Sequence, residues 1–67
     1  MELSARNQLP GTVKSVKLGA IMAEVVIEVG DHEIVSEISK GSVKRLKLKK
    51  GDSVVAIVKA TEVMIGK

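Results

Sequence analysis

The sequence predicts an all-β domain, a small antiparallel barrel of five or six short strands with one short helix. Two observations support this prediction. Apolar and polar residues alternate over much of the chain, the period expected of half-buried strands. Gly, Asp and Pro separate these stretches where turns are needed. The chain has 67 residues, enough for one domain spanning residues 1–67.

The first predicted strand covers residues 12–18. Its alternation slips between Val13 and Val16, and such a slip indicates a β-bulge, in which one strand carries an extra residue. Pro10 lies just before this strand and is taken as its boundary. Residues 1–9 are therefore expected to form a separate arm or a short strand.

Residues 21–38 are predicted to form a β-hairpin. The Gly19-Ala20 dipeptide makes a tight connection into it. Residues 21–29 read IMAEVVIEV, in which every second side chain is apolar and can share one face of a strand. A Gly-Asp dipeptide then supplies the turn, and the second strand completes the hairpin.

The second half of the chain is predicted to contain the helix and the remaining strands. Ser42 is expected to cap a helix over residues 43–46, because a Ser hydroxyl can accept a hydrogen bond from a backbone N–H at a helix start. Strands are predicted over residues 54–59 and 61–65. Strands this short fit a closed or nearly closed barrel of the OB-like type, since closure hides the sheet edges.

The composition indicates that copies of the chain associate. Apolar residues make up 45% of the sequence, yet Phe, Trp, Tyr and Cys are absent, so neither aromatic side chains nor disulfides reinforce a small core. Apolar side chains are also expected on the solvent faces of neighbouring strands, where a cluster of them marks a subunit interface. These side chains are Met22, Val26, Val55 and Ile57.

Catalysis is not expected, because a chain with no Cys, no Tyr and a single His cannot assemble the usual nucleophile–base pairs. The basic segment, residues 40–50, leaves open an alternative function as a small OB-type nucleic-acid-binding protein. The absence of aromatic side chains weakens that alternative, since OB folds bind single strands largely by base stacking. The basic residues are Lys40, Lys44, Arg45, Lys47, Lys49 and Lys50.

Two small polar clusters are the most informative functional feature. Residues 4–6 are Ser4, Ala5 and Arg6, and residues 59–61 are Lys59, Ala60 and Thr61. Both combine a positive charge and a hydroxyl with a small residue that leaves backbone N–H groups accessible. A fully ionised tetrahedral oxyanion only accepts hydrogen bonds, so a pocket built from donors alone suits it.

Three stretches resemble the molbindins, or Mop proteins, which are small molybdate-binding proteins related to TOBE domains. The stretches are SARNQLPGTV, KLGAIMAEVVIEV and VVAIVKATEVMIGK. The resemblance implies an OB-like fold and a homo-oligomer, a hexamer built as a trimer of dimers. It also implies molybdate or tungstate as the bound ligand, at subunit interfaces and with no organic cofactor.

The resemblance places the anion site on Ser4, Ala5 and Arg6 of one subunit. A neighbouring subunit is expected to contribute Lys59, Ala60 and Thr61, together with the backbone around Gly19, Ala20 and Ile21. Ser39 and Ser42 are the candidates for a second site, at a helix start. No targeting signal or membrane span is recognisable, so the expected location is the cytoplasm. The role that the resemblance implies there is the binding and storage or homeostasis of molybdate and tungstate.

Overall fold

The computed structural model describes residues 1–67 and contains four β-strands, one α-helix and one turn of 3-10 helix. The mostly-β class with a single short helix is confirmed, whereas the predicted count of five or six strands is too high. The elements are β1 (Asn7–Leu18), β2 (Met22–Val29), β3 (His32–Ser39), α1 (Lys40–Leu46), β4 (Ser53–Val58) and the 3-10 turn (Ala60–Glu62).

The strands form one antiparallel sheet in the order β3-β2-β1-β4. The sheet is open, so the barrel predicted from the sequence does not close within one copy. The missing strand is the one predicted over residues 61–65. Thr61 lies instead in the 3-10 turn, where the Val63 N–H donates to the Ala60 carbonyl, and residues 63–67 pair with no strand of their own copy.

The predicted hairpin is confirmed. β2 and β3 pair from Met22 opposite Ser39 to Val29 opposite His32, and Gly30 occupies the turn with a φ of 62°. This left-handed conformation favours glycine because a Cβ would be strained there. The alternation of β2 follows the prediction, and its inward side chains are buried in the core.

β1 is longer than predicted and begins at Asn7. Pro10 is not a boundary: it lies inside the strand, opposite Val55 of β4. β2 pairs with β1 only from Thr12 onward, so β1 is itself an edge strand at Pro10, and proline is tolerated at such edges because its missing N–H removes no ladder bond on the free side.

The predicted β-bulge is also present in β1. The register with β2 jumps from Val13 opposite Ile27 to Ser15 opposite Val26, which leaves Lys14 without a partner in the ladder. The extra residue increases the local twist of the strand and helps the sheet to curl around its core.

The core is small and entirely apolar, with no buried polar or charged residue. Helix α1 covers one end of it and contributes one of its side chains. Partly buried residues of β1, β3 and β4 surround this centre. The six buried residues are Val13, Ala23, Val25, Ile27, Val43 and Ala56.

Helix α1 begins earlier than predicted. Ser39, not Ser42, is the N-cap: its backbone is extended and its Oγ accepts a hydrogen bond from the Ser42 N–H at 3.0 Å. The end of β3 fixes this start, because Ser39 is the last residue paired in the hairpin. The helix ends at Lys47, which adopts a left-handed conformation with a φ of 53°. None of the helices is long or apolar enough to cross a lipid bilayer.

Candidate functional site

The two polar clusters lie at the same end of the sheet. Asn7 of β1 is the partner of Val58 of β4, so residues 4–6 enter and residues 59–61 leave the sheet at the same place. Five of these six residues are exposed, and Ala5 is half-buried. In a single copy, both clusters therefore adjoin the last pair of the β1–β4 ladder, although the sequence analysis assigned them to two different copies.

Local hydrogen bonds hold the first cluster in a compact turn. The Gln8 side-chain amide donates to the Ala5 carbonyl at 2.8 Å, and the Gln8 backbone N–H donates to the Arg6 carbonyl at 3.0 Å. On the other side, the Glu62 N–H donates to the Lys59 carbonyl at 2.9 Å. In both clusters, these hydrogen bonds are accepted by backbone carbonyls, which leaves the side chains of the clusters available.

The two positive charges of the clusters, at this end of the sheet, have no ion-pair partner. Neither Arg6 nor Lys59 forms an ion pair, since the ion pairs of the molecule join other residues. A guanidinium can donate two parallel hydrogen bonds to an oxyanion, while an ammonium acts as a compact point charge. The arrangement can therefore hold a small anion without displacing a carboxylate.

The remaining predicted residues of the site, Gly19, Ala20 and Ile21, lie at the opposite end of β1. The strand has 12 residues, so at about 3.3 Å per residue its ends are at most roughly 36 Å apart, and the bulge shortens this distance. The longest dimension of the molecule is 34 Å. In one copy, residues 19–21 and Arg6 therefore lie beyond opposite ends of β1.

Residues 19–21 instead lie next to the start of α1. The Lys40 N–H donates to the Ile21 carbonyl at 2.8 Å, and the Gly19 N–H donates to the Met22 carbonyl at 2.8 Å. Ile21 is 77% exposed, which leaves its side chain free for contact with another molecule. The candidates for the second site, Ser39 and Ser42, are at this same end.

The hydroxyls of Ser39 and Ser42 are already engaged with each other. Ser39 Oγ donates to Ser42 Oγ at 2.8 Å while it accepts from the Ser42 N–H. This pattern is that of a helix cap, whose physical role is to satisfy a free N–H at the helix start. The structure brings the two residues together in a capping geometry.

The basic segment offers a partly neutralised surface. The carboxylate of Asp52 accepts a hydrogen bond from the Lys49 backbone N–H at 3.0 Å and lies 3.2 Å from the Lys49 ammonium. The backbone hydrogen bond first and the ammonium second hold the pKa of the Asp52 carboxyl below its ordinary value. With no aromatic side chain in the chain, this surface cannot stack bases.

The outer face of the β2–β3 hairpin carries carboxylates in no arrangement that could hold a metal ion. Glu33 accepts a hydrogen bond from the Lys14 ammonium. That bond, together with the attraction of the same carboxylate, raises the pKa of Lys14 above its ordinary value. This pair ties the bulge of β1 to β3.

One feature was missed by the sequence analysis, an apolar cleft of about 550 Å³ between β3 and β4. We call it the β3–β4 cleft. Every lining residue except Ser36 is apolar, and five consecutive residues of β4, 54–58, contribute to it. The signal in the sequence was the unbroken apolar run VVAIV, which indicates a strand covered on both faces.

Comparisons with known proteins identify relatives in both sequence and fold. The TOBE domain model matches residues 3–65. Molybdenum-pterin-binding protein 1 of Clostridium pasteurianum is 50% identical over 66 residues, which cover 97% of each chain. A molybdate-binding protein from Sporomusa ovata has a TM-score of 0.95 and 43% identity, with 100% of both chains covered.

A third similar protein is longer. The cytoplasmic molybdate-binding protein ModG, solved with molybdate bound, has a TM-score of 0.84 and 46% identity, and the match covers 90% of this chain but 43% of ModG. The agreement with the shorter relatives over the full length, in both sequence and fold, establishes the family of this chain. The chain belongs to the TOBE domain family, and its relatives there are the small molybdenum-pterin-binding, or Mop, proteins.

Proposed function

We propose that this protein binds molybdate and tungstate as whole oxyanions and serves in their storage or homeostasis in the cytoplasm. The observation that carries the proposal is the pairing of Asn7 with Val58, which places the charges of Arg6 and Lys59 at one end of the sheet with no ion-pair partner. The similar structures of a molybdate-binding protein from Sporomusa ovata and of ModG with molybdate bound support the choice of ligand. The cytoplasmic location is supported by ModG.

The chemistry of the cluster fits a dianion that carries no proton. Arg6 supplies directed hydrogen bonds, Lys59 adds charge, and the hydroxyls of Ser4 and Thr61 donate to the remaining oxygens. The small side chains of Ala5 and Ala60 let the anion approach the backbone. A binding role of this kind requires no catalytic group and no organic cofactor.

We further propose that the complete site forms only between copies, in a homo-oligomer that is a hexamer arranged as a trimer of dimers. The separation of residues 19–21 from Arg6 along β1 supports this, because the two groups can meet only if they come from different molecules. The exposed apolar residues of the sheet, including Val35 and Ile57, supply the surface for association.

The test of ligand and selectivity is a competition. Purified protein is equilibrated with equal concentrations of molybdate, tungstate and radiolabelled sulfate, dialysed, and assayed for bound molybdenum, tungsten and label. We expect molybdenum and tungsten to be retained to similar extents, since the two oxyanions share charge and shape, and sulfate to be lost. A protein that retains no molybdate contradicts the proposal.

The test of assembly is light scattering on the same preparation. The expected mass is six times the chain mass of 7.1 kDa. A particle with the mass of one chain at micromolar concentration would contradict the shared site even if an anion is bound.

A further inference from the structure

Gln8 is tied to the first polar cluster, residues 4–6, by two hydrogen bonds. Its side-chain Nε2 donates to the Ala5 carbonyl at 2.8 Å, and its backbone N–H donates to the Arg6 carbonyl at 3.0 Å. Gln8 itself lies within β1, opposite Ile57 of β4. Because the β1–β4 ladder fixes the backbone of Gln8, the two hydrogen bonds attach the cluster to the sheet.

The side-chain hydrogen bond of Gln8 fixes the direction of a backbone donor. The Ala5 carbonyl and the Arg6 N–H belong to the same planar trans peptide unit, so they point in opposite directions. A carbonyl held toward the Gln8 side chain therefore turns the Arg6 N–H away from it. Within the chain this N–H donates to no acceptor, so it is available to a ligand.

The Gln8 side chain has no part in the core of the fold. Leu9, the next residue, packs against the buried cluster, so the alternation of β1 directs the Gln8 side chain to the outer face. Gln8 is exposed, and the bond to the Ala5 carbonyl is the one hydrogen bond that its side chain forms. This bond therefore orders the cluster more than it stabilises the sheet.

We propose that Gln8 is a positioning residue of the anion site, which holds the Ala5 carbonyl so that the Arg6 N–H is presented to the oxyanion as an oriented donor. A donor that is ordered before binding gives a higher affinity, because less conformational freedom is lost when the anion binds. The inference rests on the proposed function, and it assigns to that site a backbone donor beside the Arg6 guanidinium and the residue that orients it.

Gln8→Met tests the positioning role, because methionine has a similar length and no hydrogen-bond donor. Calorimetric titration of the whole protein with molybdate should show a dissociation constant raised roughly threefold to tenfold, the effect of losing one ordinary hydrogen bond. Gln8→Asn keeps the amide but shortens its reach by one carbon, so it should weaken binding similarly and provides a second variant if methionine disturbs folding. Thr12→Val, at an exposed position of β1, is the matched control and should bind like the unmodified protein.

A second measurement separates positioning from a general effect on the fold. Amide nitrogen relaxation in NMR gives the order parameter of the Arg6 N–H in the anion-free protein. We expect about 0.85, the value of a rigid backbone, in the unmodified protein and a fall toward about 0.6 in Gln8→Met. Molybdate should restore the higher value, and the urea midpoint of unfolding should stay the same in both proteins.

Two results would overturn the inference while the proposed function stands. Equal affinity for molybdate in both Gln8 variants and in Thr12→Val would show that Gln8 does not act on the site. Weakened binding with an unchanged order parameter for the Arg6 N–H would show that Gln8 acts by another route, such as direct contact with the anion. An unmodified protein that binds no molybdate would instead reject the proposed function, and this inference with it.

Discussion

Asn7 and Val58 are partners at the last position of the β1–β4 ladder, and this one pairing sets the geometry of the proposed anion site. It places residues 4–6 and residues 59–61 at the same end of the sheet, although most of the chain separates them in sequence. A change of register between the two strands would move the charge of Arg6 away from that of Lys59. The site therefore depends on the core of β4 as much as on its own side chains.

Arg6→Ala is expected to weaken molybdate binding by roughly 1.5–3 kcal/mol, the range for a hydrogen bond that involves a charged group. Arg6→Lys should be intermediate, because it keeps the charge and loses the planar donor fork. Isothermal titration calorimetry measures both. Arg45→Ala removes an exposed arginine of α1 and is the matched control. Equal affinity in Arg6→Ala and Arg45→Ala would remove Arg6 from the site.

Gly11→Ala is expected to destabilise the fold. A Cβ at this position would lie 2.4 Å from the Glu28 carbonyl oxygen and 2.8 Å from Ile27 Cγ2, so β1 and β2 would have to separate. Overpacking of this kind costs about 1–3 kcal/mol, and urea denaturation measures it. Gly41→Ala is the control: only Ser39 Oγ lies within reach, at 4.0 Å, and alanine favours the helix by up to about 1 kcal/mol.

The sequence predicted correctly those parts of the fold that a local pattern determines. The β2–β3 hairpin was predicted almost residue for residue, because strong alternation and a Gly-Asp turn act within neighbouring residues. The start of β1 was missed because Pro10 is a strand breaker only where a ladder runs on both sides. Whether β1 is paired on both sides at Pro10 depends on strands that are distant in the sequence, and no local pattern shows this.

The same distinction between local signals and long-range pairing applies to the candidate site. Composition pointed to residues 4–6 and 59–61 as donor clusters, and the resemblance to Mop proteins assigned them to two subunits. Their location at the same end of the sheet follows from the pairing of β1 with β4, which are far apart in the sequence. The helix cap was similarly ambiguous, since Ser39 and Ser42 are three residues apart and both are able to cap. The end of β3 selected Ser39.

Ser39→Ala is expected to destabilise the protein by about 0.5–2 kcal/mol, the usual effect of losing a helix N-cap. Its Oγ accepts from the Ser42 N–H, and alanine leaves that donor without a protein partner. Thermal or urea denaturation gives the change in free energy of unfolding. Ser42→Ala should have a smaller effect, because it removes the hydroxyl that only accepts from Ser39. A larger effect for Ser42→Ala would reverse the assignment of the cap.

The stability of the fold is expected to fall in acid, in part through Asp52. Because hydrogen bonding to Lys49 lowers the pKa of this carboxyl, its contribution is fully present above the unfolded value of about 3.9. The contribution is lost as the pH falls through the lower folded value. Asp52→Asn should therefore show a shallower decline of stability in that acid range. Asp31→Asn, in the exposed hairpin turn, is the control, and an unchanged slope in Asp52→Asn would contradict the assignment.

Glu37→Lys is expected to stabilise the protein. Glu37 of β3 lies directly opposite Glu24 of β2, and both are exposed on the outer face of the hairpin. Like charges in directly opposed positions are unfavourable, and cross-strand pairs contribute about 0.2–1 kcal/mol. Replacing one carboxylate with an ammonium turns the repulsion into attraction, so the free energy of unfolding should rise by an amount in this range at low salt. The gain should shrink as salt screens the pair.

Glu33→Lys provides the contrast, because Glu33 also opposes a glutamate, Glu28, but is already bonded to Lys14. Removing that bond should offset the relief of repulsion, and urea denaturation at two salt concentrations separates the cases. An equal gain in both variants would show that the Lys14–Glu33 pair contributes nothing to stability.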